Sequence, residues 1–159
     1  IHDRALAVER VAAAAAAARA LPFPFTLTAR AENFVHGRDD LDDTIERLQA
    51  FERAGADVLF APGLPDLDAV RTAASALSKP LNFMAGIRGR SFALAELAAA
   101  GVRRVSLSTS LYRAAATALV EAAREIRDAG RFDYLERTLT TAELDACLST
   151  RGAAPARDR

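Results

Sequence analysis

The chain has 159 residues, enough for one sizeable core and too few for two comfortable domains, and 51% hydrophobic content makes a packed globular fold feasible. Basic and acidic residues number 21 each, so the formal net charge is zero, which argues against nucleic-acid or membrane-surface binding; both need a basic excess. Cys147 is the only cysteine and allows no internal disulfide, His2 and His36 form no zinc pattern with it, and no apolar run approaches the ~20 residues of a membrane span. A reducing cytoplasm is the expected compartment.

In chain order, residues 3 to 20 read as a helix. Their Ala-rich run has acidic Asp3 and Glu9 before or within it and lacks the large aliphatic residues of a secretion signal. Pro22 and Pro24 close it, and Phe25 to Ala29 is the first predicted strand. Asp39 or Asp40 caps a helix to about Ala54, stopped by Gly55, and DVLFAP is the second strand. Asp66 caps a helix to about Leu77, and Pro80 to Ala85 is the third strand. Ser91 caps a short helix ended by Gly101, and RVSLS is the fourth strand. Ser110 caps a long helix to about Ala129, and Thr140 with Glu143 makes a capping box for a last helix. Residues 151–159 read as a frayed tail.

Strand tips at Arg30, Pro62, Met84 and Ser108 mark repeated β–α units, which build parallel sheets. A doubly wound nucleotide-binding sheet would need a Gly-rich loop after the first strand, and ARAENF has no glycine. A (β/α)₈ barrel uses about 250 residues for eight units, so four units here make half of one. Half a barrel has two open strand edges and should not fold alone as a monomer. With an opening Ile1 rather than Met, the expectation is that residues 1–150 are the C-terminal half of a single barrel domain, whose N-terminal half is missing from this chain.

In a parallel α/β fold, ligands sit at the carboxyl ends of the strands. Arg30 there either grips a carboxylate or phosphonate through its planar fork or closes the rim in a structural pair with Glu32; for Glu32 the structural pair is the favoured reading. Asn82 alternates with apolar Leu81 and Phe83 and so faces the barrel interior or mouth, as a ligand contact or as a satisfied buried amide. Arg88 and Arg90 read as solvated loop arginines, and His36 as a solvated loop residue. Ser106 and Ser108 have no histidine in reach by sequence for a nucleophilic role. Cys147 reads as buried filler, and ERLQAFERAGAD as a charged helix face without function.

The segments TARAENFVHG, DDTIERLQAFERAGADVLFAPGL, KPLNFMA and ELAAAGVRRVSLS, in this order, resemble the isocitrate lyase/phosphoenolpyruvate mutase superfamily, most of all its phosphonomutase-like branch, over about residues 5 to 148. The resemblance implies a (β/α)₈ barrel, Mg²⁺, and a small anionic α-oxo acid substrate whose C–C or P–C bond is made or broken through an enolate-like or phosphoryl-transfer intermediate. It implies Arg30 as a substrate-binding residue and Glu32 as a residue of the metal's outer shell; Asn82, from its place on the strand, is expected as a second substrate contact. It also implies a homo-oligomer, dimer or tetramer, exchanging a C-terminal helix. The family's direct metal ligands and its mobile Lys/Cys loop precede the matched region, so no direct ligand is expected in this chain and its catalytic residues stay unassigned. Pro62 or Gly63 stands where the true lyases carry a Glu, which turns the expectation toward phosphonomutase-, decarboxylase- or hydrolase-like chemistry. The alternative is a catalytically inactive barrel half serving binding or assembly.

Overall fold

Aspartate caps start three of the helices. Asp3, Asp40 and Asp66 each accept a hydrogen bond from the backbone N–H three residues on, at 2.8–3.0 Å, satisfying a donor that the first helical turn leaves unpaired. They open α1 (Arg4–Arg19), α2 (Leu41–Arg53) and α3 (Leu67–Ser75). A computed structural model describes residues 1–149, so the tail expected over 151–159 lies outside the described residues. The remaining elements are β1 (Thr28–Arg30), β2 (Val58–Phe60), β3 (Leu81–Met84), α4 (Leu94–Ala99), β4 (Arg104–Ser106), α5 (Ser110–Ala129) and α6 (Thr141–Ser149).

The four strands form one parallel sheet in the order β1-β2-β3-β4. Sequential order, with a helix between successive strands, belongs to a barrel-type α/β fold. A doubly wound sheet would instead reverse its order at a switch point. Side chains alternate across the sheet. Ala29, Leu59, Leu81 and Phe83 join Leu48, Phe51, Val70 and Leu97 of the helices in one core, with Val105 packed against it. The opposite face carries Thr28, Arg30, Val58, Phe60, Asn82, Met84, Arg104 and Ser106. Backbone pairing sets Arg30, Phe60, Asn82 and Arg104 in a single row across that face.

The chain divides into two compact units, Ile1–Leu111 and Tyr112–Arg159. The sheet and α1 to α4 lie in the first. The second holds most of α5, a 3₁₀ turn at Asp133–Arg137 and α6, and none of its described residues is buried. Within it Glu125 accepts from the Tyr134 N–H at 3.1 Å, and the capping box forms, with the Thr140 N–H donating to Glu143 at 2.8 Å. No helix among the described residues is long and apolar enough to cross a membrane.

Four local readings need correction. The first strand starts at Thr28, where pairing with β2 begins, and Phe25 is 54% exposed; Asp57 pins the strand's entry by accepting the Leu27 N–H at 2.8 Å. The fourth strand stops at Ser106, two residues short of Ser108, whose φ of 50° leaves the extended region. Neither serine caps its helix. Ser91 and Ser110 turn their hydroxyls back to the carbonyls of Ile87 and Leu107, and α4 begins instead at Ala93, whose N–H donates to Glu96 at 2.8 Å. Cys147 is exposed, since α6 buries no face in its unit.

Leu59 is fully buried at the centre of the sheet, whereas Leu94 is 70% exposed at the start of α4. Leu59→Ala should therefore lower unfolding free energy by about 2–5 kcal/mol, and Leu94→Ala by no more than about 0.5. Urea denaturation of the two variants checks this; equal losses would mean that the sheet's helix-side face is not the core.

Candidate functional site

The site is built at the carboxyl tip of β1. Parallel pairing continues one residue past the strand, with the Ala31 N–H donating to the Phe60 carbonyl at 2.9 Å, so Arg30 is held to the very end of a paired segment. Its side chain stands on the face away from the helices, 53% exposed, with its guanidinium carbon 5.8 Å from the centroid of the Phe60 ring and one amino group on the Glu32 carboxylate. The ring favours a cation at that distance, and the carboxylate fixes its direction. Glu32 spends its other oxygen on His36, whose Nε2 lies 3.0 Å away. His36 is exposed, in keeping with the solvated loop residue expected from the sequence, and the bond to Glu32 gives it a fixed partner as well. A cleft of about 380 Å³ opens beside these three groups, with Ala31, Arg47 and Phe51 also in its wall.

Behind the tip lies a network that the sequence reading passed over. Asn33 is 1% exposed, and its amide Nδ2 donates to Asp43 at 2.7 Å. Its carbonyl oxygen is buried and has no hydrogen-bond partner among the described residues. Asp43 also accepts from Arg47 Nε at 2.8 Å and from Arg4 Nη2 at 2.7 Å. Arg47, 8% exposed, passes the link to the His2 carbonyl at 3.1 Å. The signal in the sequence was the spacing of Asp43 and Arg47, one helical turn apart, with Arg47 inside the run read as a charged helix face without function. The Arg47 guanidinium foremost, then Arg4 and Asn33, hold the Asp43 carboxyl at about 2, against the opposite pull of burial.

Asn82 sits two strands from Arg30 in the same row and is 1% exposed. Its carbonyl oxygen accepts from Arg104 Nη1 at 2.7 Å, and its Nδ2 donates to Ser106 Oγ at 3.1 Å. The structure therefore does not bring Asn82 into contact with the Arg30–Glu32–His36 group; it places it in a polar trio of its own. Arg90 is anchored through Nη1 on the Gly63 carbonyl at 2.8 Å. A larger cleft, about 480 Å³, opens at the amino end of the strands beside Lys79 and Arg103, where α3 and α4 end. Cations there complement the negative helix termini and call for no ligand. No three His, Cys, Asp or Glu side chains gather as a metal site among the described residues.

Residues 1–127 match the family model described as phosphoenolpyruvate phosphomutase. Among solved structures, the chain is similar to a candidate lyase/mutase from Burkholderia cenocepacia J2315, at 49% identity and a TM-score of 0.88, over 98% of this chain and 54% of that one. It is similar to a candidate phosphonomutase from the same organism, at 33% identity and a TM-score of 0.70, over 79% and 52%. It is also similar to oxaloacetate acetylhydrolase in complex with its product oxalate, at 26% identity and a TM-score of 0.79, over 95% and 53%. The chain thus spans about half the length of these relatives. None of the curated proteins compared with it matches.

The depressed Asp43 carboxyl makes a pH prediction. A group with a lowered folded-state pKa stabilises the fold above its unfolded value, 3.8, and that contribution fades as pH falls toward about 2. Discounted for its 26% exposure, the contribution at neutral pH is about 1–2 kcal/mol. Asp43→Asn should be less stable than wild type by that amount at pH 7, and the two denaturation curves should converge between pH 4 and 2. A constant gap across that range would mean that Asp43 is not held charged by its arginines.

Proposed function

This chain belongs to the phosphoenolpyruvate phosphomutase family, and on that premise we propose that the whole protein is a lyase or mutase acting on the C–C or P–C bond of a small α-oxo acid. The observation that carries the reading is Arg30. A guanidinium at a parallel-strand tip, directed by Glu32 and backed by the Phe60 ring, presents its remaining N–H groups to the space where such folds bind ligands. A planar fork of that kind matches a carboxylate or phosphonate, the two groups an oxo acid or phosphono acid offers. Oxalate, the product bound to the oxaloacetate acetylhydrolase relative, is a two-carbon dianion of the same class.

Arg30 does two things in this proposal. It binds the substrate's acidic group and so orients the neighbouring oxo carbon, and it offsets negative charge as an enolate or a transferred phosphoryl group develops. Glu32 holds the guanidinium plane still, and through His36 it is itself held. Asn82 enters as a second contact, with the one N–H that its bonds to Arg104 and Ser106 leave over. Mg²⁺ is the proposed cofactor, and when bound it would take up enolate charge. The described residues do not supply a direct ligand set for it, and both Glu32 oxygens are engaged, so Glu32 is proposed only for the outer shell and no step is derived through the ion. The exposed apolar residues Leu119, Leu135, Leu144 and Leu148 of the second unit support a homo-oligomer, dimer or tetramer, in solution.

Arg30→Ala should weaken oxalate binding, or raise KM for the oxo acid, by about 10- to 100-fold, the worth of a charge-assisted pair. Arg30→Lys should recover only part of it, because an ammonium cannot reproduce the two-point fork. Isothermal titration of the full-length protein decides this. Unchanged affinity in Arg30→Ala would favour a barrel half that binds or assembles without catalysis.

A further inference from the structure

Asn33 is the residue whose surroundings stability alone does not account for. Its carbonyl oxygen is buried without a partner among the described residues, an arrangement native proteins rarely keep. Its orientation is nevertheless unambiguous. Asp43 is charged and can only accept, so the NH₂ end of the amide must face it, and the carbonyl end has to be left over. Around this amide the backbone folds into the tip's own scaffold. The Asn33 main-chain carbonyl accepts both the His36 N–H at 3.1 Å and the Arg38 N–H at 2.9 Å, closing the 3₁₀ turn Phe34–His36. Glu32, one residue earlier, is gripped between Arg30 and His36. Gly63, in the left-handed region at φ 87°, leaves room for the turn: a Cβ there would lie 3.2 Å from that of Phe34.

We infer that Asn33 is a positioning residue, which through its single amide bond to Asp43 sets where the Glu32 carboxylate stands and hence where the Arg30 fork points. The bond at 2.7 Å is the one side-chain hydrogen bond from residues 31–38 to α2 found among the described residues. The loop is otherwise tied to the helix by the chain itself, with the Asp40 N–H donating to the Arg38 carbonyl at 2.8 Å, and by packing of Ala31 and Phe34 with Leu41, Leu48 and Phe51; neither directs the side chains of the turn. Among the described residues, Arg4 and Arg47 make no hydrogen bond to residues 31–38; they hold Asp43 in place and so fix the far end of the lever. Displacing a binding group by about 1 Å can weaken its action by about 100-fold, so a residue that never touches the ligand can govern its affinity.

This inference rests on Arg30 as the anion anchor, and its test separates the two. In the full-length protein, Asn33→Ala and Leu97→Ala are compared by oxalate titration, by urea denaturation and by the ¹H–¹⁵N ring signals of His36, assigned with His36→Gln. Asn33→Ala should lower oxalate affinity about tenfold or more and move the His36 ring signals. Leu97→Ala, a core change in α4 away from the site, should lose stability while affinity stays within twofold and the ring signals stay unmoved. If Asn33→Ala does not fold, Asn33→Ser, too short to reach Asp43, takes its place with the same expectations. Wild-type affinity and ring signals in the Asn33 variant overturn the inference, as do affinity losses that merely follow stability in both variants. Should Arg30→Ala bind oxalate normally, the anchor reading fails while the His36 signals still decide whether Asn33 sets the loop.

Discussion

The arrangement at the β1 tip depends on one carboxylate. Asp43 gathers donors from α1, from its own helix and from the loop after β1, so three segments share a single carboxylate. A charged group in that position is stable only while its partners remain, and each partner is directional. The result is a rigid reference point behind the strand tip. Without it the loop carrying Glu32 and His36 would be held by packing and by the hydrogen bonds of its own turn.

Parallel pairing supplies the other half of the constraint. Register sets Arg30 beside Phe60, and the continued bond from Ala31 to the Phe60 carbonyl keeps the arginine from fraying off the edge of the sheet. The row runs on through Asn82 to Arg104, so two arginines, an aromatic ring and an amide share one line on the face opposite the helices. That face contrasts with the helix side, where Ala29, Leu59, Leu81 and Phe83 form an unbroken apolar layer. The sheet thus has one apolar face in the core and one that mixes apolar side chains with cations and an amide.

The fold's general plan was legible from local chemistry. Aspartate before a helical run, glycine after it, and small apolar strands between them act over a few residues, and those rules placed nearly every helix and the four-unit order. Where local signals competed, the reading slipped. Phe25 to Leu27 looked apolar enough to open the first strand, yet Phe25 is half exposed and pairing begins only at Thr28. Ser91 and Ser110 had the composition of caps, but their hydroxyls found carbonyls behind them. Arg47 and Asn33 were unreadable for a different cause. Nothing about an arginine in a charged helix or an asparagine in a loop reveals burial until the surrounding elements close over it.

By itself, then, the sequence determined the alternation of strands and helices, the helix starts, the parallel topology and the position of Arg30 at a strand tip. Each follows from propensities and periodicities that act within a few residues of one another. Only the tertiary structure decided which polar groups meet. It joined Asn33 to Asp43 and Arg4 to Asp43 across 10 and 39 residues of chain, and it tied Asn82 to Arg104 and Ser106 rather than to Arg30. Hydrogen bonds are short and directional, so partner choice depends on final positions in space, and composition leaves those positions open.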